Sequence, residues 1–174
     1  MCTECTEPDR RIRLGRSRAR PPLALVGEGR RLVACSVVSS IGDYNQRIID
    51  EFRANGGKPP SWSGSSPLLL LHHRGAKSGV ERVNPVAYLD DDGRYAIFAS
   101  KAGAPTNPGW YHNLKAHPDT TIEVGSGTVA VTAGEVSGQE RARLFAAQAA
   151  RSPQFAEYQQ KTDRVIPVIV LTPR

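Results

Sequence analysis

The sequence predicts one small, mainly β domain: an antiparallel barrel with helices packed on its outside. About six apolar or alternating runs have strand length and are bounded by turn residues. The loops between them are too short for the repeated helical crossovers that join parallel strands. Three or four further segments have the residue spacing of amphipathic helices. With 174 residues and 39% hydrophobic content, the chain can bury a core without disulfides or metal ions.

Residues 1–40 differ in composition from the rest of the chain. They hold eight arginines against four acidic residues, a charge of +4, whereas residues 41–174 hold fifteen basic and thirteen acidic residues, a charge of +2. They show no helical or strand period, so we predict that they are disordered. A nucleic-acid-binding arm is the alternative, but the segment has no aromatic residue for base stacking. We therefore expect no nucleic-acid partner, and a functional domain over residues 41–174.

All three cysteines, Cys2, Cys5 and Cys35, fall within residues 1–40. Cys2 and Cys5 have half of a zinc-binding spacing, but no second pair or nearby histidine completes it. The domain itself has no thiol, and the chain has neither an apolar run long enough to span a membrane nor a recognisable secretory signal. The sequence therefore predicts a cytoplasmic protein without a metal site.

The helices are predicted from periodicity and from residues typical of helix ends. The first begins after Asp43 as its N-cap and ends before Gly56-Gly57. The second has Pro108 in its first turn and Pro118 just beyond its end. The predicted helices cover residues 43–53, 107–116, 139–151 and 153–161.

The strands are predicted from apolar runs and from turn chemistry. Asp90-Asp91-Asp92-Gly93 is typical of a hairpin loop, and we interpret its carboxylates as a solubilising turn rather than a metal site. Pro167 must lie at an edge or a bulge, because proline cannot donate to a strand ladder. The predicted strands cover residues 68–73, 82–89, 95–100, 121–124, 128–136 and 165–171.

A glycine-bounded turn at residues 75–79 has cations on both sides. Glycines allow backbone N–H groups to approach an anion, while Lys77, Ser78 and Arg82 add charged and hydroxyl donors. The turn alone is equally well interpreted as a solvated hairpin tip. It lacks the residue order and the following helix of a Walker A loop.

A second cluster of candidate residues leads into the second helix. Lys101 follows a strand, and Trp110 and Tyr111 lie at a helix start, where anions are favoured. The two rings suit the walls of a flat ligand, although such a pair is more often part of a core. His72 and His73 are adjacent in a strand, so their side chains point to opposite faces, and we expect one of them to face the ligand.

In combination these motifs resemble the deazaflavin-dependent nitroreductase family of actinobacteria, over about residues 43–174. The resemblance rests on the order Gly-Ala-Lys-Ser-Gly, Arg-Val-Asn-Pro, Ala-Ser-Lys-Ala-Gly-Ala, Asn-Pro-x-Trp-Tyr-x-Asn-Leu and Thr-Asp-Arg-x-Ile-Pro-Val. It implies a split β-barrel similar to those that bind FMN. It also implies coenzyme F420, an 8-hydroxy-5-deazaflavin with a phosphodiester and an oligoglutamate tail. The implied reaction is hydride transfer from the reduced coenzyme to a small unsaturated acceptor such as a quinone, an enone or a nitroaromatic.

The resemblance also implies which residues form the coenzyme site. The acidic tail matches the cationic turn, with Arg74 or Lys101 as further cations. The rest of the coenzyme would lie along the second strand, and its ring would be bordered by residues of the second helix. The implied coenzyme-binding residues are Ala76, Lys77, Ser78, Arg82, Val83, Asn84, Pro85, Ser100, Lys101, Trp110, Tyr111 and Asn113.

Hydride transfer requires no side-chain nucleophile, since the protein mainly positions donor and acceptor. Relatives active on nitro compounds and quinones tend to place a tyrosine in the helix that covers the site. The corresponding residue here is Phe155, and Tyr158 follows it. We expect either that Tyr158 or water donates the proton, or that this chain takes enones or quinones rather than nitroimidazole-type acceptors. Packing of both rings on the barrel is an equally good interpretation.

Two alternatives to this function stay open at this point. One is an FMN-dependent oxidoreductase of the same architecture, because the basic turn would also suit a flavin phosphate. The other is a deazaflavin-binding module without catalytic activity. The sequence leaves open the natural acceptor, the oligomeric state and peripheral membrane contact for a lipophilic quinone.

Overall fold

The computed structural model describes residues 41–174, except for the side chain of Ile41. Our predictions for residues 1–40 lie outside this range. Within it, six strands close into a barrel with the order β1-β2-β3-β6-β5-β4, and every pairing is antiparallel. The strands are β1 (Leu68–Arg74), β2 (Glu81–Asp91), β3 (Arg94–Phe98), β4 (Asp119–Val124), β5 (Gly127–Val136) and β6 (Val168–Pro173).

Four α-helices accompany the strands in the described part of the chain. A short 3-10 helix, Lys101–Gly103, which the sequence had not suggested, follows β3. The predicted barrel of about six strands with three or four outer helices is confirmed. The α-helices are α1 (Ile41–Ala54), α2 (Gly109–Ala116), α3 (Gly138–Arg151) and α4 (Gln154–Gln160).

Apolar side chains lie on both faces of β1, which explains its uninterrupted leucine run. Leu69 and Leu71 belong to the core cluster inside the barrel. Leu68 and Leu70 lie on the opposite face, where they pack with Phe52 of α1. Alternate residues of a strand point to opposite faces, so a run of four leucines serves both layers. A further cluster joins Ala96, Phe98 and Val168 to α3 and α4.

The boundaries of several elements differ from the prediction by a few residues, and three of these differences have a clear local reason. Helix α1 begins at Ile41, so Asp43 lies in its first turn and is not the N-cap. Pro108 has extended backbone angles and precedes α2 instead of lying in its first turn. Strand β6 begins at Val168, after Pro167, because proline has no N–H for the ladder. The carbonyl of Pro167 still accepts a hydrogen bond from the Ala99 N–H, at 3.0 Å.

The Asp90–Asp92 segment is more than the solubilising turn that we predicted. Only Asp92 and Gly93, with φ of 53° and 82°, make the tight turn between β2 and β3. Asp91 belongs to β2 and its side chain is 8% exposed. Its carboxylate accepts hydrogen bonds from Arg143 of α3, at 2.8 and 3.1 Å, and from Arg94. This carboxylate therefore connects the hairpin to α3.

None of the helices between residues 41 and 174 combines the length and the apolar character that crossing a membrane requires.

Candidate active site

A groove of about 220 Å³ brings together six of the residues that the sequence singled out. Its lining comes from β2, the segment after β3, the start of α2, helix α4 and the connector between α1 and β1. No acidic side chain is among the residues that line it. The predicted site residues in this lining are Pro85, Ser100, Lys101, Trp110, Phe155 and Tyr158.

Helix α4 supplies an aromatic wall of the groove. Phe155 is buried, and its ring meets Phe98 and Tyr158 edge to face at centroid distances of 5.5 and 5.6 Å. Tyr158 is half-buried, and Lys161 Nζ lies 5.8 Å from the centre of its ring. Phe155 therefore lines the groove and also packs on the barrel, so the two interpretations of this position are compatible. Tyr158 is the one phenol among the groove-lining residues described.

The segment after β3 has a strained backbone. Lys101 and Ala102 have φ of 47° and 53°, in the left-handed region that residues other than glycine rarely occupy. Each such residue costs on the order of 1–3 kcal/mol unless its surroundings enforce the conformation. Gly103 passes so close to α4 that a Cβ there would lie 2.8 Å from the Lys161 Cβ. Surrounding contacts must therefore hold this wall of the groove in place.

Arg164 supplies those contacts. Its Nε donates to the Ala104 carbonyl at 2.9 Å and its Nη1 to Asn107 Oδ1 at 2.7 Å. Its Nη2 donates to the carbonyls of Ala99 and Ser100 at 3.0 and 2.7 Å. One planar guanidinium thus fixes both ends of the segment. We assigned this residue no role from the sequence, although it is the arginine of the Thr-Asp-Arg-x-Ile-Pro-Val motif.

The 75–79 turn has the geometry expected of a tight, glycine-dependent bend. The Gly75 N–H donates to Val80 O and the Gly79 N–H to Gly75 O, both at 2.8 Å. Gly79 has φ of 66°, a conformation that favours glycine, whereas a Cβ at Gly75 would meet the Ser78 Oγ at 2.4 Å and require that hydroxyl to rotate. Arg74 Nε donates to the Gly79 carbonyl at 3.2 Å. Its guanidinium therefore stabilises the bend from one side.

Lys77 and Arg82 are exposed, and within residues 41–174 neither forms an ion pair or a side-chain hydrogen bond. Arg53, Arg94 and Arg143, by contrast, are each paired with a carboxylate. The turn therefore presents two cations whose charge no described carboxylate neutralises.

Asn113, His73 and Asn84 form one hydrogen-bonded chain behind this turn. The Ala76 N–H donates to Asn113 Oδ1 at 2.9 Å, and Asn113 Nδ2 lies 2.8 Å from His73 Nδ1. His73 Nε2 lies 2.7 Å from Asn84 Oδ1. His72, its neighbour, points to the other face and contacts Glu123 Oε1 at 2.7 Å. The two histidines thus diverge as predicted, and His73 lies on the side of the candidate site.

Two predicted coenzyme-binding residues, Tyr111 and Val83, belong neither to the groove lining nor to the 75–79 turn and the polar chain behind it. The Tyr111 ring is buried in the barrel core, and its hydroxyl donates to Glu135 at 3.0 and 3.2 Å. Burial, together with this carboxylate, raises the pKa of the Tyr111 phenol. Val83 packs beside Phe52 of α1. Successive helix residues point about 100° apart, so of the pair Trp110 and Tyr111 only Trp110 faces the groove.

Trp62 is a groove residue that our reasoning from the sequence missed. Its indole N–H donates to the Ser66 carbonyl at 2.9 Å, which fixes the ring. It lines the groove and also a second cavity of about 480 Å³, together with Pro59, Pro67 and Tyr88. The available signal was a tryptophan inside an otherwise polar Pro-Gly-Ser connector.

No three His, Cys, Asp or Glu side chains in the described part of the chain are arranged to hold a metal ion.

The fold and the groove define a class of protein. A closed antiparallel barrel carries an outer groove with indole, proline and phenyl walls, and a cationic, glycine-framed turn directly precedes the strand that carries Pro85. Such an arrangement suits a flat redox coenzyme with an anionic tail, as in split-barrel oxidoreductases.

Comparison with known proteins specifies this class further. The chain belongs to the F420H(2)-dependent quinone reductase family, whose model matches residues 45–173. An F420H(2)-dependent quinone reductase of Mycobacterium tuberculosis strain H37Rv is 45% identical over 114 residues, which are 64% of this chain and 76% of that protein. The predicted family resemblance, and with it an oxidoreductase that uses coenzyme F420, is confirmed.

Solved structures agree with this assignment. The structure of an F420-H2 dependent reductase, FDR-A, is 40% identical and superimposes with a TM-score of 0.56, covering 60% of this chain and 93% of that one. A second structure, described as a domain-swapped dimer, is 36% identical with a TM-score of 0.58, covering 76% of this chain and 99% of that one. The split-barrel architecture implied by the sequence is confirmed.

Proposed function

We propose that this chain is a cytoplasmic quinone reductase that holds coenzyme F420 between the 75–79 turn and the groove. When bound, the reduced coenzyme supplies a hydride. Addition of that hydride and one proton converts a quinone to its hydroquinone. The observation that carries this proposal is a pair of cations, Lys77 and Arg82, that no carboxylate of residues 41–174 pairs with, at one end of a strand that leads to the groove.

The residues present fit the coenzyme. Lys77 and Arg82 offer charge-assisted hydrogen bonds to acidic tail groups, and the turn offers backbone N–H groups that approach without obstruction by side chains. The indole of Trp110 and the ring of Pro85 provide apolar surfaces for a flat ring system. Because the described residues that line the groove include no carboxylate, none of them repels an anionic ligand.

Each wall of the groove has a distinct task in this proposal. Phe98 and Phe155 exclude water from the space in which donor and acceptor meet, and low water content strengthens electrostatic interactions there. Tyr158 carries a hydroxyl that can pass a proton to the reduced acceptor. Trp62, from the connector between α1 and β1, offers an indole surface to the acceptor.

Binding of purified coenzyme F420 tests the tail site directly. Loss of one charge-assisted hydrogen bond costs about 1.5–3 kcal/mol, so Lys77→Ala should weaken the Kd by roughly 10-fold to 150-fold. Arg47→Ala removes the same charge from an exposed position on α1 and should leave the Kd within about twofold. Raising the salt concentration should weaken the wild type more than Lys77→Ala. Equal affinities for all three proteins would contradict the proposal.

Turnover distinguishes the acceptors. We expect oxidation of the reduced coenzyme by a water-soluble quinone to be faster than by an enone or a nitroaromatic. FMN in place of F420 should bind weakly and give no turnover. A lipophilic quinone resides in lipid, so the proposal includes peripheral membrane contact, which co-sedimentation with vesicles containing such a quinone would test.

A further inference from the structure

His73 lies buried at the centre of a chain of hydrogen-bonded polar side chains. Its residue is 5% exposed, and its two ring nitrogens meet two asparagine side chains from different elements. Asn84 belongs to β2, and Asn113 belongs to α2. Asn113 continues the chain to the backbone of the 75–79 turn. One imidazole therefore connects three elements that surround the proposed coenzyme site.

The donor and the acceptor of each hydrogen bond in this series can be assigned in order, starting from the Ala76 N–H. A backbone N–H can only donate, so the atom of Asn113 that faces it must be Oδ1. Asn113 Nδ2 then faces His73 and donates, which requires a lone pair on Nδ1. The ring proton consequently lies on Nε2 and is donated to Asn84 Oδ1.

We propose that His73 is a positioning residue of the F420 site: as a neutral imidazole protonated at Nε2, it fixes both asparagine amides and holds the 75–79 turn against α2. This inference rests on the proposed function for its link to the coenzyme. Asn113 then acts by anchoring the turn that carries Lys77, while the amide N–H groups of Asn84 are directed away from His73. The carboxamides thus support the cation-bearing turn from behind.

Protonation of His73 would break this arrangement. A hydrogen on Nδ1 would face the donating Nδ2 of Asn113, and turning that amide would place its N–H groups against the Ala76 N–H. Burial lowers the pKa of His73 below its usual value, and the nearby charge of Arg82 lowers it further. The other titratable groups around it are His72, Arg74, Glu81, His117 and Asp119, which line or adjoin one cavity of about 320 Å³.

Nitrogen NMR of the imidazole tests the tautomer without any coenzyme. In wild type we expect the signature of a neutral ring with a bare Nδ1 and a protonated Nε2 throughout the physiological pH range. Asn113→Asp presents only acceptor oxygens to both the Ala76 N–H and the ring, so it should place a proton on Nδ1 and raise the pKa of His73 above that in wild type. A protonated Nδ1 in wild type, or an unchanged pKa in Asn113→Asp, would overturn the inference.

Two substitutions of His73 distinguish a positioning role from packing. Each reproduces only one of the two ring nitrogens, and we call them half-mimics. His73→Asn places an acceptor oxygen near the former Nδ1 and so retains the link to Asn113, whereas His73→Gln retains only a donor near the former Nε2. We expect His73→Asn to keep the F420 Kd within about threefold and His73→Gln to weaken it by about tenfold or more. The matched control is His72→Gln, at the neighbouring position on the opposite face, which should leave the Kd unchanged.

The results distinguish the inference from the proposed function. Equal loss of affinity in both half-mimics would mean that His73 only fills space. Thermal unfolding of each variant identifies any that fail to fold, in which case the tautomer and the pKa of Asn113→Asp decide. If wild type itself fails to bind F420, the proposed function falls, while the NMR result still tests the hydrogen-bonded chain.

Discussion

Removal of the Arg164 guanidinium should collapse the segment that forms one wall of the groove. Residues 99–107 are held by four hydrogen bonds from this side chain, three to backbone carbonyls and one to Asn107. Arg164→Ala leaves these acceptors without their donor. It also removes the contacts that enforce the left-handed backbone at Lys101 and Ala102.

The size of the effect follows from these contacts. A hydrogen bond from a charged donor contributes about 1.5–3 kcal/mol net, but Arg164 is only half-buried and water can replace part of what is lost. In the variant, the strained backbone at Lys101 and Ala102 can also relax, and this offsets a further part of the lost stability. We therefore expect the free energy of unfolding to fall by about 3 kcal/mol and not by the full sum of four bonds. For a domain of this size that loss lowers the melting temperature by roughly 10 °C.

Calorimetry or thermal circular dichroism measures the stability of each variant. Titration with F420 and a soluble quinone measures its coenzyme affinity and its KM for the quinone. Arg164→Lys retains the charge but not the planar fork, so it should recover only one or two of the bonds and give an intermediate melting temperature. The KM for the quinone should rise in both variants, and more in Arg164→Ala. The reasoning would be refuted by an Arg164→Ala variant that melts within about 2 °C of wild type and retains its quinone KM.

Two further substitutions test other parts of the structure. Asp91→Asn should cost about 1 kcal/mol at pH 7, since it removes the charge and one of the two carboxylate oxygens that accept from Arg143 and Arg94. These arginines lower the pKa of the Asp91 carboxyl, so its stabilising contribution is complete above about pH 4 and disappears as the pH falls through the lower folded-state pKa. Urea unfolding should show the gap between variant and wild type closing in acid, and a gap independent of pH would count against the pairing. Phe155→Tyr should extend the acceptor range toward nitro compounds, measured as oxidation rates of reduced F420. An unchanged set of acceptors would show that position 155 has no role in acceptor selection.

The sequence predicted those parts of the site that depend on local chemistry. Gly75 and Gly79 permit a tight turn, and the side chains of Lys77 and Arg82 are charged at neutral pH in any fold that leaves them exposed. The resemblance to a family then placed Pro85, Ser100 and Trp110 near a common ligand, and the groove does bring these three together. Whether each of them contacts the coenzyme stays a prediction.

The parts that the sequence did not reveal depend on contacts between distant segments. His73 and Asn113 are 40 residues apart, and Arg164 and Ser100 are 64 apart. No neighbouring residue in the sequence shows that His73 is buried between two asparagines while His72 contacts Glu123. Asp91 was misinterpreted for the same reason, because its partner Arg143 follows 52 residues later. Strand register and helix docking decide such contacts, and no short window of sequence contains them.

Trp62 is carried by the connector between α1 and β1, outside the barrel strands. Substitutions and changes of length are tolerated in such connectors far better than in a closed ladder. With Trp62 contacting the acceptor as proposed, acceptor preference can therefore diverge independently of the residues that bind the coenzyme. Variation confined to residues 58–66 would give enzymes that share one coenzyme and differ in what they reduce.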